Sequence, residues 1–101
     1  MLFAGMYLLL TYDIKTDTVE GQRALSGIGK LLKGYGVRVQ NSVWECLLDP
    51  HELESLKREI QLFLQNCEGN VRVYQLPKTW REKIIQIKGM APARVTDTLI
   101  F

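Results

Sequence analysis

Residues 37–52, VRVQNSVWECLLDPHE, decide the fold, because they place two strands and a helix start in the middle of the chain. Valine alternates with a polar residue over 37–40, and a strand-like run follows over 43–48. Such alternation is typical of a strand with one buried face. The interruption at Asn41-Ser42 predicts a tight turn or kink between two strands.

The end of this stretch predicts the start of a helix. Asp49 suits the N-cap, Pro50 the first helical position, and Glu52 the third residue after the cap, where it completes a capping box. Residues with helical spacing then define an apolar face, and Glu68-Gly69-Asn70 is expected to end the segment. The apolar residues are Leu53, Leu56, Ile60, Phe63 and Leu64.

The preceding half of the chain predicts a strand and a helix. The apolar run 6–13 is typical of a central strand covered on both faces. A polar loop offers Asp17 as an N-cap, with Glu20 three residues later, and Gly34 and Gly36 are expected to end the helix in the left-handed conformation. Gly27 and Gly29 suggest close approach to the sheet. The helix repeats apolar residues at Ala24, Leu25, Ile28, Leu31 and Leu32.

The last core element is a strand over residues 71–76, which Pro77 ends. The element order is therefore βαββαβ. This order predicts an α+β, ferredoxin-like sandwich with two helices on one face of an antiparallel sheet. We assign residues 1–83 to this domain.

Residues 84–101 extend beyond the completed domain. They contain apolar, strand-like pieces at 84–87 and 99–101. Because an exposed sheet edge can accept another chain's strand, we expect this segment to form an extra C-terminal strand exchanged in a homodimer. The alternative is that it packs back on its own sheet.

The composition limits the kinds of metal, thiol and catalytic site that the chain can build. The chain has 101 residues, enough for one domain, and 47% of them are hydrophobic. With one histidine, His51, it cannot build a multi-histidine metal site, and we assign His51 no catalytic role. Its two cysteines exclude a four-thiolate site, a CxxC pair and a disulfide framework, and indicate two buried free thiols.

The N-terminal apolar segment is too short for a membrane span. The apolar run of residues 1–10 contains no basic n-region, and a bilayer requires about 20 apolar residues. Residues 1–5 are interpreted as an extension ahead of the first strand. We therefore expect a cytoplasmic protein with no membrane contact.

The net charge of +2 conceals an uneven distribution. Residues 14–44 carry +3 and residues 71–101 carry +4, whereas residues 45–70 between them carry −4. Basic segments that meet on one face can hold a phosphate backbone. The alternative is that these lysines and arginines only solvate the surface.

Asp13 is the candidate metal ligand, because it ends a buried strand where a rigid scaffold meets solvent. A carboxylate is the hard oxygen ligand that Mg²⁺ prefers, and Mg²⁺ keeps waters that can attack a phosphodiester. One carboxylate makes a poor site, but a two-fold dimer supplies the residue twice. The alternative is that Asp13 caps a turn.

Other candidates surround this position in the sequence. Arg38 can bind a phosphate through two nitrogens, and Lys15 and Arg23 belong to the same basic segment. Tyr12 and Trp44 are candidates for positioning a nucleotide or for filling the core, and packing is the favoured role for Trp44.

The chain resembles the CRISPR-associated protein two family, the small subunit of the spacer-acquisition machinery. The likeness spans residues 6–101 and rests chiefly on YLLLTYDI at 7–14 and YGVRVQNSVWE at 35–45, where the family's aromatic is more often Phe than Trp44. VRVY at 71–74, Trp80-Arg81 and the LIF ending at 99–101 also match.

The resemblance implies a homodimer whose C-terminal strands cross to the partner. It also implies a Mg²⁺-dependent phosphodiesterase site in which Asp13 of each chain meets a shared metal, with Tyr12, Arg38 and Trp44 nearby. In the family the dimer bridges integrase subunits, CRISPR-associated protein one, and holds duplex DNA, and its nuclease site can be dispensable. Both RNA and double-stranded DNA are cleaved by members, so the substrate does not transfer.

Three functions follow as hypotheses. The first is a spacer-acquisition protein with Mg²⁺-dependent endonuclease activity, for which Asp13 and Tyr12 are the catalytic candidates. The second is a non-catalytic DNA-binding scaffold that bridges integrase dimers. The third is a small-molecule regulatory domain, which a ligand-sized apolar pocket between helices and sheet would favour.

Overall fold

The computed structural model describes residues 5–89 and confirms the predicted α+β, βαββαβ order. A four-stranded sheet in the order β2-β3-β1-β4 has antiparallel pairing throughout, which is the ferredoxin-like arrangement. The elements are β1 Met6–Ile14, α1 Val19–Leu32, β2 Gly36–Gln40, β3 Val43–Leu48, α2 Pro50–Phe63 and β4 Gly69–Leu76, followed by a 3-10 turn at Trp80–Lys83.

Strand β1 is central, as predicted, because it pairs with β3 on one side and β4 on the other. Its alternate residues enter the core beneath the helices, and these are Leu8, Leu10, Tyr12 and Ile14. The expectation that both faces are covered is wrong for the single chain. Leu9 and Thr11, on the opposite face, are partly exposed, and Asp13 is exposed.

The ends of α1 differ from the prediction. Thr18, not Asp17, is the N-cap, because its hydroxyl accepts a 3.0 Å hydrogen bond from the Gly21 amide. At the other end Lys33 caps the helix in the right-handed conformation. Within residues 5–89 only Gly89 has a positive φ, so no left-handed glycine ends α1.

The start of α2 is as predicted. The Asp49 carboxylate accepts a 2.7 Å hydrogen bond from the Glu52 amide, and the Glu52 carboxylate accepts a 3.0 Å hydrogen bond from the Asp49 amide. Pro50 occupies the first turn. The helix ends at Phe63, earlier than expected, and Glu68-Gly69-Asn70 instead leads into β4.

Two glycines in α1 permit close contacts of different kinds. A Cβ at Gly27 would collide with the ring of Phe63, so this glycine allows α1 to approach α2 rather than the sheet. A Cβ at Gly29 would lie 3.0 Å from a terminal nitrogen of Arg38. Gly29 therefore makes room for a side chain that comes from β2.

Of the two cysteines only Cys46 is buried, and Cys67 is partly exposed. The prediction of two buried thiols is therefore half right. Burial, together with the nearby Glu45 carboxylate, raises the pKa of the Cys46 thiol to about 12. Cys46 is a thiol at neutral pH and serves as a small core residue.

The C-terminal segment is described only as far as Gly89. Residues 84–87 have no regular secondary structure in the single chain, and Ile85 and Ile87 are 87% and 95% exposed. The predicted strand over 99–101 and residues 1–4 of the predicted extension over 1–5 lie outside the described residues. Across the part of the chain that is described, no helix is long and apolar enough to cross a membrane.

Candidate nucleic-acid interface and metal site

Asp13 is the penultimate residue of β1, and its side chain is exposed. It forms part of the rim of two concavities. On the helix side it borders a cleft of about 700 Å³ between α1 and the β2–β3 turn, which we call the α1 cleft. On the open face of the sheet it borders a smaller groove of about 320 Å³, together with Asn70 and Arg72 of β4. A carboxylate so placed is accessible to a metal ion and to a substrate.

Three cationic side chains converge on the α1 cleft. Lys30 and Lys33 come from the end of α1, and Arg38 comes from β2. Asp13 is the acidic member of the described lining, so the cleft carries three positive charges against one negative. The neutral polar lining consists of Thr16, Gln22, Ser26, Asn41 and Ser42.

A network of hydrogen bonds and a cation–π contact connects residues at the α1 cleft. The Tyr12 hydroxyl donates a 2.9 Å hydrogen bond to the Asn41 carbonyl and accepts a 3.2 Å hydrogen bond from Nε1 of Trp44. The guanidinium of Arg38 lies over the Trp44 ring, 4.8 Å from its centre, within cation–π range. These contacts connect the residue before Asp13 to the β2–β3 turn and to Arg38.

The burial of Tyr12 and Trp44 defines what they can do. They are 5% and 2% exposed, so neither ring has a surface on which a base could stack. Both hydrogen-bonding groups are satisfied within the protein. In the single chain both side chains are therefore core residues, and Trp44 packs in the core as favoured from the sequence.

Arg38 lines the α1 cleft together with Asp13, whereas Lys15 and Arg23 do not line it. Nζ of Lys15 lies 2.8 Å from a carboxylate oxygen of Glu68 and faces a separate small pocket. Arg23 is exposed and does not line the α1 cleft.

Sequence reasoning did not single out Lys30 and Lys33 from their basic segment. Helical phase would have found them, because one stripe of α1 lines the cleft. Its members are Gln22, Leu25, Ser26, Gly29, Lys30 and Lys33.

Among the described residues that line the two concavities, Asp13 supplies the one carboxylate. Within residues 5–89 no group of three or more His, Cys, Asp or Glu side chains is placed to hold a metal ion, and exposed His51 belongs to none. Magnesium needs only one or two protein carboxylates, since it keeps several waters. An exposed strand-end carboxylate has the chemistry of a Mg²⁺ ligand, and the rest of the donor set would come from water or from a second chain.

The opposite end of the open face is closed by the 3-10 turn. Trp80 packs on Tyr7 with ring centres 5.8 Å apart, and the Arg81 guanidinium lies over both rings. Glu45 of β3 is only 8% exposed. Burial raises the pKa of its carboxyl, and the positive charge of Arg81 opposes that rise. The 3-10 turn therefore covers the end of the open face opposite Asp13.

Fold and site together define a class: small ferredoxin-like proteins with an exposed strand-end carboxylate beside a basic cleft. The family model for CRISPR associated protein Cas2 matches residues 6–84. The chain belongs to the Cas2 family.

Individual relatives agree with this assignment. The CRISPR-associated endonuclease Cas2 of Halalkalibacterium halodurans is 35% identical and aligns over 95% of this chain and all of its own length. The CRISPR-associated endoribonuclease Cas2 of Nitratidesulfovibrio vulgaris is 36% identical, over 88% of this chain and 86% of its own. These relatives are therefore named for cleavage of nucleic acid.

Solved structures show the same fold. Streptococcus pyogenes Cas2 superposes with a TM-score of 0.74 at 35% identity, covering 82% of this chain and all of that one. A chain of a partial Cas6-RT-Cas1–Cas2 complex superposes with a TM-score of 0.65 at 26% identity, covering 81% of this chain and 90% of that one.

Proposed function

We propose that this protein is a metal-dependent endonuclease of CRISPR spacer acquisition that works as a homodimer with a Mg²⁺ site shared between two copies of Asp13. The observation that carries the proposal is the exposed Asp13 carboxylate at the rim of a basic cleft, in a chain whose relatives are named as nucleases. Bound Mg²⁺ would supply a water nucleophile and would stabilise charge on the phosphoryl oxygens. Arg38 binds the substrate phosphate. The hydrogen bond from the Tyr12 hydroxyl to the Asn41 carbonyl holds the β2–β3 turn in place close to Arg38.

The exposed edge of the sheet at β4 supports the proposal of a dimer. Strand β4 pairs only with β1 among the described strands, and Val73 and Tyr74 on its two faces are 38% and 45% exposed. Beside it lies an open groove of about 490 Å³ between α2 and β4, and its apolar lining residues include Leu53, Leu64 and Val71. A single chain leaves this surface in water, whereas a partner's strand would cover it.

The exposed isoleucines supply the strand for this edge. Replacing Ile85 and Ile87 together with Asp should convert the dimer to a monomer, because alternate residues of a strand face the same side. The protomer fold should survive, since both side chains are exposed in the single chain. Multi-angle light scattering should report the 11.6 kDa chain mass instead of twice that value.

The matched control for this prediction is Gln86→Asp, which places the charge on the opposite side of the same segment. This variant should remain dimeric. A double variant that keeps the dimer mass would contradict strand exchange through residues 84–87.

The nuclease itself is tested with and without metal. Purified protein should cleave single-stranded RNA or duplex DNA in Mg²⁺ and lose that cleavage in EDTA, with recovery when Mg²⁺ is restored in excess. Gel analysis of both substrates decides between them, since the relatives named above carry both endonuclease and endoribonuclease names. Cleavage that persists undiminished in EDTA would overturn the metal-dependent mechanism.

A second candidate function is a DNA-binding scaffold that bridges integrase subunits. It is favoured by the likeness to a chain of a Cas1–Cas2 complex and by the basic cleft, which needs no metal to bind phosphate. Tight binding of duplex DNA without cleavage under any divalent cation would select the scaffold over the nuclease.

A further inference from the structure

The small groove on the open face of the sheet, which we call the open-face groove, contains a cation that the mechanism above does not use. Arg72 is the cationic member of the described lining of this groove, and Asp13 is the acidic member. Both come from neighbouring strands, Asp13 from β1 and Arg72 from β4. The described lining consists of Thr11, Tyr12, Asp13, Asn70, Arg72 and Tyr74.

The pairing of β1 with β4 sets the separation of Arg72 from Asp13. Asp13 lies opposite Asn70, and Thr11 lies opposite Arg72, so Arg72 is the diagonal neighbour of Asp13 on the same face of the sheet. Diagonal neighbours in an antiparallel pair lie about 7–8 Å apart. Neither residue takes part in the ion pairs found among residues 5–89. The carboxylate and the guanidinium therefore lie near each other without contact, as two groups that bind opposite sides of one phosphate would.

A hydrogen bond orients the Arg72 side chain. Its Nη1 donates a 3.2 Å hydrogen bond to the hydroxyl of Tyr74. Because residues two apart in a strand face the same side, this contact keeps the guanidinium on the open face. A guanidinium has five N–H donors, so the bond to Tyr74 leaves others for phosphate oxygens. A side chain held in this way loses less conformational freedom when it binds than a free one.

The alternative explanation of Arg72 is protection of a sheet edge. Strand β4 is an edge strand of the described sheet, and charged side chains on edge strands prevent association between edges. An arginine on either face of β4 would serve that purpose. The position diagonal to Asp13 and the hydrogen bond to Tyr74 are not needed for it, and both favour a role in the chemistry.

We propose that Arg72, oriented by Tyr74, binds a phosphoryl oxygen of the phosphodiester that is cleaved at Asp13 and stabilises the negative charge that develops on it. In hydrolysis the water oxygen bonds to phosphorus and the bond from phosphorus to a sugar oxygen breaks. The water loses a proton to the solvent, and the sugar oxygen gains one from the solvent. Arg72 is then a catalytic residue, and Tyr74 is a positioning residue.

This inference rests on the proposed function in that the reaction is cleavage of a phosphodiester. It goes further in naming a catalytic cation on the open face, whereas Arg38 approaches Asp13 from the helix side. The phosphate at the end of β1 would then be bound from both sides of the sheet.

The first test compares the kinetics of cleavage in Mg²⁺. Arg72→Gln should lower kcat by at least about 100-fold with a smaller change in KM, as expected on loss of a donor that stabilises charge in the transition state. Tyr74→Phe keeps the ring but not the hydroxyl, and it should lower kcat by about 10-fold, since one hydrogen bond to a charged group is lost. Both side chains are exposed, so the fold should be retained.

The matched control is Arg58→Gln. This variant makes the same substitution at an exposed position of α2 that lines neither the open-face groove nor the α1 cleft. Its kcat and KM should equal those of the wild type.

A second test needs neither metal nor cleavage. In EDTA the Nε–Hε NMR signal of Arg72, identified by its absence in Arg72→Lys, should move when a short single-stranded thymidine oligonucleotide is added. Tyr74→Phe should reduce the movement. An arginine that only protects the sheet edge would give no such response.

Failure of this inference differs from failure of the nuclease proposal. If the wild type cleaves nucleic acid and Arg72→Gln cleaves it equally fast, or if the Arg38 signal moves while the Arg72 signal does not, Arg72 has no such role and the nuclease proposal stands. A fall of Arg72→Gln to the chain mass in light scattering would also overturn the inference, because Arg72 would then be a dimer contact. A wild type that cleaves neither RNA nor DNA would overturn both proposals.

Discussion

Asp13→Asn is expected to reduce Mg²⁺-dependent cleavage by at least about 100-fold. Loss of a residue that only orients a metal ligand already costs about 10–100-fold, and Asp13 is proposed to be the ligand itself. Asparagine has nearly the same size, and the Asp13 side chain is exposed, so the fold and the dimer should be unaffected. The measurement is the initial cleavage rate in Mg²⁺ for the wild type and the variant at equal dimer concentration.

Mixed dimers show whether the two copies of Asp13 act together. If random exchange forms dimers from equal amounts of wild-type and Asp13→Asn chains, a shared site leaves about a quarter of the activity, because only wild-type pairs are complete. Independent sites would instead leave half. Asp17→Asn is the matched control, since Asp17 is exposed but borders a different pocket with Lys15 and Glu68. Its activity should match the wild type.

The sequence predicts the fold well where local signals act alone. The capping box at Asp49 and Glu52 involves residues three apart, and the polar turn Asn41-Ser42 separates two strand-like segments. Both signals are complete within a few residues, so no distant contact alters them. The sequence does not distinguish between two N-cap residues for α1, because Asp17 and Thr18 are adjacent and both belong to residue types that cap helices. Backbone geometry places Thr18 at the cap.

The site is only partly readable from the sequence, since side-chain direction depends on tertiary contacts. Asp13 is found because a strand-end acid after an apolar run is a local pattern. Lys15, two residues later, shares the basic segment but its side chain pairs with Glu68. That partner enters from the turn before β4, 53 positions further along the chain. Proximity in sequence therefore overestimates the role of Lys15.

The network of Tyr12, Trp44 and Arg38 joins residues up to 32 positions apart. Pattern reasoning identifies each as a candidate but leaves open whether the aromatics pack or touch the ligand. The pairing of β1 with β3 decides between these roles, because it brings Trp44 opposite Leu10 on the helix-covered face. Only tertiary structure contains that information.

Trp44→Ala is expected to lower the free energy of unfolding by about 3–5 kcal/mol, the usual cost of truncating a buried aromatic residue. Trp44 is 2% exposed, and its loss also removes the donor to the Tyr12 hydroxyl and the surface beneath Arg38. Small domains have a total free energy of unfolding of about 5–15 kcal/mol, so this substitution would remove a large part of the stability of the protein. Urea denaturation followed by circular dichroism measures the change.

Trp44→Phe separates the packing role of this residue from a direct contact with nucleic acid. Phenylalanine keeps a ring under Arg38 and most of the buried surface but lacks the Nε1 donor, so a loss of about 1 kcal/mol is expected. Because the indole is covered by the protein, duplex binding by the phenylalanine variant should equal that of the wild type. A variant that is as stable as the wild type but binds duplex DNA more weakly would show that Trp44 contacts the ligand, and that the buried network does not describe the bound protein.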